Sequence, residues 1–177
     1  MGIHLNPYTG ERKVIMLLIK LIGSALIITS TTLIGFCYGG KYTDRLNNLI
    51  YLEQCFKILE TEIVYGANPL PEALSNVYKK GNKKVSFIFQ EIKNHLQRSK
   101  KGNLYQSFSS IEWILKNRLN LKEEDIEIIL SLGRVLGSSD RLDQEKNFNF
   151  IFKQMELLQK DAKIDRDRNE RLYKNLG

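Results

Sequence analysis

The sequence predicts an all-α protein: an N-terminal transmembrane helix, then a bundle of about six helices ending in a long C-terminal helix. Three observations carry that reading. Residues 21–40 contain no charged side chain. Beyond Lys41 the apolar residues recur at spacings of three and four, without the alternation of a strand. Glycine, Asn-Pro and acidic residues then fall where helices of ordinary length stop and start. Composition agrees: 177 residues, 42% hydrophobic and 27% charged, fit neither a polytopic membrane protein nor a disordered tail. Two cysteines exclude a disulfide scaffold.

Residues 1–13 read as a polar leader, 14–40 as the transmembrane helix and 41–177 as a soluble helical bundle, with Met16 an equally good start. A twenty-residue helix is about 30 Å long, the thickness of a bilayer core. Lys20 can snorkel to the headgroups, and Tyr38 suits the far interface. The hydroxyls of Ser24, Thr29, Ser30, Thr31 and Thr32 can return to carbonyls one turn earlier. The run is too long for a secretory signal, and no small-residue cleavage site follows it. Arg12, Lys13 and Lys20 precede the span, while Lys41, Arg45 and a basic domain follow it. That balance leans towards a cytoplasmic soluble part.

In the bundle, Leu46, Leu49, Ile50, Phe56, Leu59 and Ile63 stripe a helix over 43–65, stopped by Gly66. Asn68-Pro69 reads as N-cap and first helical residue of a short helix ending at Gly81. Val85, Ile88, Phe89, Ile92 and Leu96 mark a third helix; Phe108, Ile111, Leu115 and Leu119 mark a fourth. Asn120 with Glu123 has capping-box spacing and opens a fifth, which ends at Gly137. Asp140 caps the last helix, whose stripe runs from Phe148 to Ala162 and turns polar at Asp165. The alternating charges from Asp161 to Arg171 read as a solvated face or a partner-contacting arm.

Chemistry-bearing constellations are scarce. Gly35–Lys41 matches a phosphate-loop spacing, but a membrane segment precedes it and Tyr42 stands where Ser or Thr should bind Mg²⁺. Glu60 and Glu62 are two apart and point to different helix faces, the pattern of ordinary surface carboxylates, with Glu60 the one expected nearer the core edge. His95 reads as a surface histidine and Cys55 as a small core residue. No nucleophile has a neighbouring base and no ligand cluster has metal spacing, so neither an enzyme nor a cofactor is expected.

Charge is more informative. The formal net charge is +7, and residues 79–118 alone carry ten Lys or Arg against two Glu. Lys79, Lys80, Lys83, Lys84, Arg98, Lys100 and Lys101 form the candidate patch for an anionic surface. Beside a membrane span such a patch points to headgroups or an acidic protein. Nucleic acid is not expected, because Phe89 and Phe108 belong to core stripes rather than to a stacking face. One reading is therefore a membrane-tethered regulator that binds an anionic partner through 79–118.

Several motifs together resemble the stage III sporulation protein AB family of endospore-forming bacteria. They are Lys20-Leu21-Ile22-Gly23, Thr31-Thr32-Leu33-Ile34-Gly35-Phe36, Leu59-Glu60-Thr61-Glu62-Ile63-Val64-Tyr65-Gly66 and Pro69-Leu70-Pro71-Glu72-Ala73-Leu74. Leu136-Gly137-Ser138-Ser139-Asp140 and the closing Asn169–Gly177 stretch follow in the same order. The resemblance implies a non-catalytic, membrane-anchored component of the complex joining mother cell and forespore, sited in the mother-cell membrane around the forespore. It implies a soluble part similar to the cytoplasmic domains of the platform protein of type II secretion and type IV pilus machines. The partners implied are the membrane, other stage III sporulation subunits and a secretion-type ATPase, with no small-molecule substrate. It implies a second membrane span after the final Asn-Leu-Gly. The candidate interaction residues are Glu60, Glu62, Tyr65, Gly66, Pro69, Leu70 and Glu72, at a corner where Gly66 can take positive φ and Pro69 sets the next helix.

Overall fold

The computed structural model describes residues 8–98, 103–136 and 141–176. Its helices are α1 (Tyr8–Glu60), α2 (Leu70–Lys80), α3 (Phe87–Arg98), α4 (Leu104–Ser109), α5 (Glu112–Asn117), α6 (Glu123–Leu136) and α7 (Arg141–Leu176). A π-helical turn, Thr61–Tyr65, follows α1. Among the described residues every regular element is helical.

The chain divides between Gly39 and Gly40 into two units. In the first, Lys13–Leu33 is a 21-residue segment of mean hydropathy 2.1 with none of it buried within the protein, long and apolar enough to cross a membrane. The Thr29, Thr31 and Thr32 hydroxyls donate to the carbonyls of Ala25, Ile27 and Ile28, and Ser24 donates to Leu21. These polar groups are thereby satisfied without water.

In the second unit the stripes converge on one core. Leu49, Leu52, Phe56 and Leu59 of α1 meet Leu74 and Val77 of α2, Ile88 and Phe89 of α3, Phe108, Ile129 of α6, and Phe148 and Met155 of α7, all buried. Phe56 and Phe89 pack edge to face at 5.9 Å between ring centroids. Gly133 lies so close to α4 that a Cβ there would sit 2.8 Å from the Phe108 ring, so this crossing demands a glycine.

Four expectations are corrected. The fourth helix is two: α4 and α5 are separated at Ser110-Ile111, with Ile111 at φ −96°, ψ 0°. Ser110 turns its hydroxyl to the Ser107 carbonyl at 2.8 Å, a local bond that competes with helix propagation. Asn120 does not cap α6 but sits at φ 54°, and Glu123 pairs with Lys116. The capping function passes to Asp125, whose Oδ2 accepts the Lys122 backbone N–H at 2.8 Å. The Pro69 carbonyl receives the first N–H groups of α2, from Glu72 and Ala73, so Pro69 itself is the N-cap and Asn68 is released for another role. The expected Asp140 cap and the Gly137 stop lie outside the described residues.

The fourth correction has the largest consequence. Asp165 does not belong to a solvated arm. Its Oδ2 accepts from Arg45 Nη1 at 2.9 Å and from Lys122 Nζ at 2.8 Å. Arg45 is 2% exposed and binds Asp125, itself fully buried, through two parallel bonds: Nε to Oδ2 at 2.7 Å and Nη2 to Oδ1 at 2.8 Å. Burial by itself would weaken the guanidinium's hold on its proton, but Asp125, then Asp165 and Glu124, outweigh it and raise the pKa. One side chain thus joins α1, α6 and α7.

Removing one member of such a pair strands a buried charge, at a cost of about 3–5 kcal/mol. Asp125→Ala should lower the unfolding midpoint by about 10 °C, followed by circular dichroism on the full chain in detergent. Arg45→Met combined with Asp125→Leu should cost much less. Equal loss in both variants would show that the charge pairing is not the source of the effect.

Candidate functional site

The corner between α1 and α2 is built around a carboxylate. In the π-helical turn the Gly66 N–H donates to the Thr61 carbonyl at 2.8 Å, five residues back, and the Asn68 N–H reaches the Glu62 carbonyl at 2.9 Å. Gly66 has φ −78°; it is Ala67, at φ 53°, that adopts the left-handed conformation expected of the glycine. Gly66 is needed for space instead, since a Cβ there would stand 2.9 Å from the Glu62 carbonyl oxygen.

Glu62 is not a surface carboxylate: it is buried, turned into the corner. Its Oε2 accepts from Asn68 Nδ2 at 2.6 Å and Asn76 Nδ2 at 2.7 Å, and its Oε1 accepts from Lys80 Nζ at 2.6 Å. These donors, Lys80 foremost, hold the carboxyl below its ordinary pKa despite burial. Glu62 therefore clamps the turn, Asn68 and the α2 face together. Glu60 is half-buried, and desolvation with nearby Glu145 raises its pKa. Tyr65 is 66% exposed, its hydroxyl donating to Glu145 Oε1 at 3.4 Å. Pro69 and Glu72 are exposed, while Leu70 is half-buried beside an open depression of about 280 Å³ lined by Ile63, Ala67, Asn68, Leu136 and Gln144. The seven corner candidates thus separate: Glu62 and Gly66 shape the corner, and Tyr65, Pro69 and Glu72 face outward.

The basic candidates separate in the same way. Lys80 is held by Glu62, and Lys83 donates to the Tyr78 and Lys79 carbonyls at 2.6 and 3.0 Å, closing the C-terminus of α2. Lys79, Lys80, Lys83, Lys84 and Arg98 are all exposed. Lys100 and Lys101 lie outside the described residues. Of the remaining cations of 79–118, Lys93 bonds Ser75 Oγ at 2.7 Å, and Arg118 lies 4.6 Å over the Phe87 ring. Phe89 and Phe108 are core residues, as their stripes require. His95 is half-buried rather than on the surface, with Nδ1 3.2 Å from the buried Ser107 hydroxyl.

Cys55 is fully buried beside Gly81, where a Cβ would come 2.6 Å from its sulfur; burial pushes the thiol pKa up to about 11. Among the described residues no cluster of three His, Cys, Asp or Glu could hold a metal ion. The features that sequence reasoning missed are the Arg45–Asp125–Asp165 network and the inward turn of Glu62. Hydrophilic side chains carry no periodic signal of burial, and their partners are 6 to 120 residues away. The one local cue was Asp125, three residues after Lys122.

Two outcomes follow from this chemistry. A carboxyl whose folded pKa lies below its unfolded value stabilises the fold at pH above the unfolded value, about 4.5, and loses that contribution as pH falls through the folded value. Urea unfolding from pH 7 to 3 should therefore show a steeper acid loss in the parent than in Glu62→Gln, which should already be weaker at pH 7. Parallel curves would show that the clamp is not electrostatic. Cys55 should resist a thiol-specific reagent at pH 8 until the chain is unfolded; rapid labelling of the native protein would contradict its placement.

The fold and the corner can be compared with known proteins. The family model described as stage III sporulation protein AB matches residues 20–177. A relative named stage III sporulation protein AB, from Bacillus subtilis (strain 168), is 31% identical over 163 residues, covering 90% of this chain and 93% of its own. The part of that relative outside the match is too short for the second span expected from the resemblance. A solved structure of stage III sporulation protein AB (SpoIIIAB) superposes with a TM-score of 0.58 at 25% identity, over 71% of this chain and 98% of its own. The match reaches from the apolar helix through the Glu62 corner to the end of α7, and the chain belongs to the stage III sporulation protein AB family.

Proposed function

We propose that this chain is a non-catalytic, membrane-anchored platform subunit of the mother cell–forespore transport complex formed in sporulation. Residues 14–40 anchor it in the mother-cell membrane around the forespore, and 41–177 stand in the cytoplasm as the helical platform. Its partners are the other stage III subunits and a secretion-type ATPase. The observation that supports this most directly is the construction of the corner. A buried carboxylate with three donors holds it rigid while Tyr65, Pro69 and Glu72 are presented outward beside an apolar depression. Rigid presentation of an aromatic and a charge lowers the ordering cost that a docking partner must meet. Homologues carrying the family name are sporulation proteins, which accords with assembly rather than catalysis.

The second reading, a tethered regulator recognising an anionic partner through 79–118, has less support. Lys80 and Lys83, exposed like Lys79, Lys84 and Arg98, already turn their ammonium groups to protein acceptors.

The test is recovery of the ATPase with the full chain from detergent extracts of sporulating cells. Tyr65→Ala with Glu72→Ala should reduce recovery about tenfold, equivalent to about 1.4 kcal/mol, with the unfolding midpoint unchanged. Lys79→Glu with Lys84→Glu should leave recovery as it was. The reverse pattern would favour the regulator, and undiminished recovery in both would remove the corner as the contact.

A further inference from the structure

Helix α7 has two apolar faces, and the bundle uses one. Phe148, Ile151, Met155, Leu158 and Ala162 are buried. Phe150, Leu157 and Ile164 are 57%, 53% and 63% exposed. These three are spaced seven apart, so they form a line along the helix, and Leu172, also exposed, continues it one residue out of register. Large apolar residues repeating every seventh position form a line on one helix face, one of the two positions per heptad that a helix-pairing seam uses.

We propose that this face of α7 pairs with the same face of a second copy of the chain, the two helices running parallel. The charges beside the line argue for that occupant and that direction. Lys160 and Asp167 lie on one flank, Asp161 and Arg168 on the other. In a parallel two-fold pair each flank meets the opposite flank of its partner at nearly the same height. Lys160 then faces Asp161 and Asp167 faces Arg168, twice over. An antiparallel pair brings like flanks together, setting Lys153 against Lys160. Within one chain Lys160 pairs with Glu156 at 2.9 Å and Asp167 with Arg166 at 2.6 Å; such exposed pairs are weak and exchange easily.

The pairing rests on the membrane-anchored reading. Identical chains held in one bilayer by the same helix are confined to one surface and brought within reach of one another. A three-residue line is too small to hold a dimer at dilute concentration, but tethering to a surface raises the effective concentration into the range where it suffices.

The test uses the full chain, Cys37→Ser, reconstituted in lipid vesicles, with single cysteines added by Phe150→Cys, Leu157→Cys, Ile164→Cys and, as a control on another exposed face, Lys163→Cys. Cys55 is buried and stays silent. Mild oxidation should yield disulfide-linked dimers from each of the three seam positions, at least tenfold faster than from Lys163→Cys. Asp161→Lys should slow linkage at Leu157→Cys several-fold, and adding Lys160→Asp should restore it. Linkage at 157 but not at 150 or 164 would mean antiparallel pairing and overturn the proposal. So would equal rates at all four positions, or none. Vesicle flotation reads the anchor separately: a chain that floats but does not link defeats only the pairing, and one that does not float removes the anchor on which it rests.

Discussion

The soluble unit depends on one cation placed where cations are costly. Arg45, near the start of that unit in α1, is withdrawn from water onto Asp125 at the N-terminus of α6 and Asp165 late in α7. A hydrophobic contact tolerates sliding; a bidentate guanidinium–carboxylate pair does not, since both bonds fail within a fraction of an ångström. The pair therefore sets the register of α1 against α6 and α7 more sharply than the leucines around it. Asp125 also accepts the Lys122 N–H, so the same carboxylate ends the loop, starts a helix and binds the cation.

The corner at Glu62 repeats the arrangement at the other side of the core. A π-helical turn swings a carboxylate inward, and three donors from Asn68, Asn76 and Lys80 satisfy it. Both centres are closed: among the described residues no buried side-chain nitrogen or oxygen lacks a partner. A polar group held that way specifies geometry without being available for chemistry. The reactive-looking residues are consequently spent on architecture, and the surface that remains for partners is formed by their neighbours. That organisation accords with the platform role proposed for this chain.

The division between architecture and surface explains what was legible beforehand. The corner's position was readable, because Gly66 and Pro69 interrupt a helical pattern wherever they occur. Its interior was not. Glu60 and Glu62 look alike in the sequence, yet Glu62 is buried and Glu60 half-buried, since the π turn rotates the second relative to an α-helical projection. The cluster of lysines was equally plain, but whether a lysine faces a partner or a carbonyl depends on what the fold places beside it. Lys83 and Lys84 are adjacent and both exposed, yet the fold sets two carbonyls beside Lys83, whose ammonium closes a helix.

By itself the sequence determined the class, the helical periods and the core. A run of twenty uncharged residues can be satisfied only by an apolar environment, and stripes at spacings of three and four can be buried only as helices. The buried faces of α1, α3 and α7 are largely those the periodicity named. Tertiary structure alone decided the polar half: which carboxylates turn inward, that α4 and α5 part at Ser110, and that Asp165 stays with the bundle. Apolar side chains carry a burial preference of their own, whatever their partners. A charge has none until its counterion is in place, and for Arg45 the counterions stand 80 and 120 residues further along the chain.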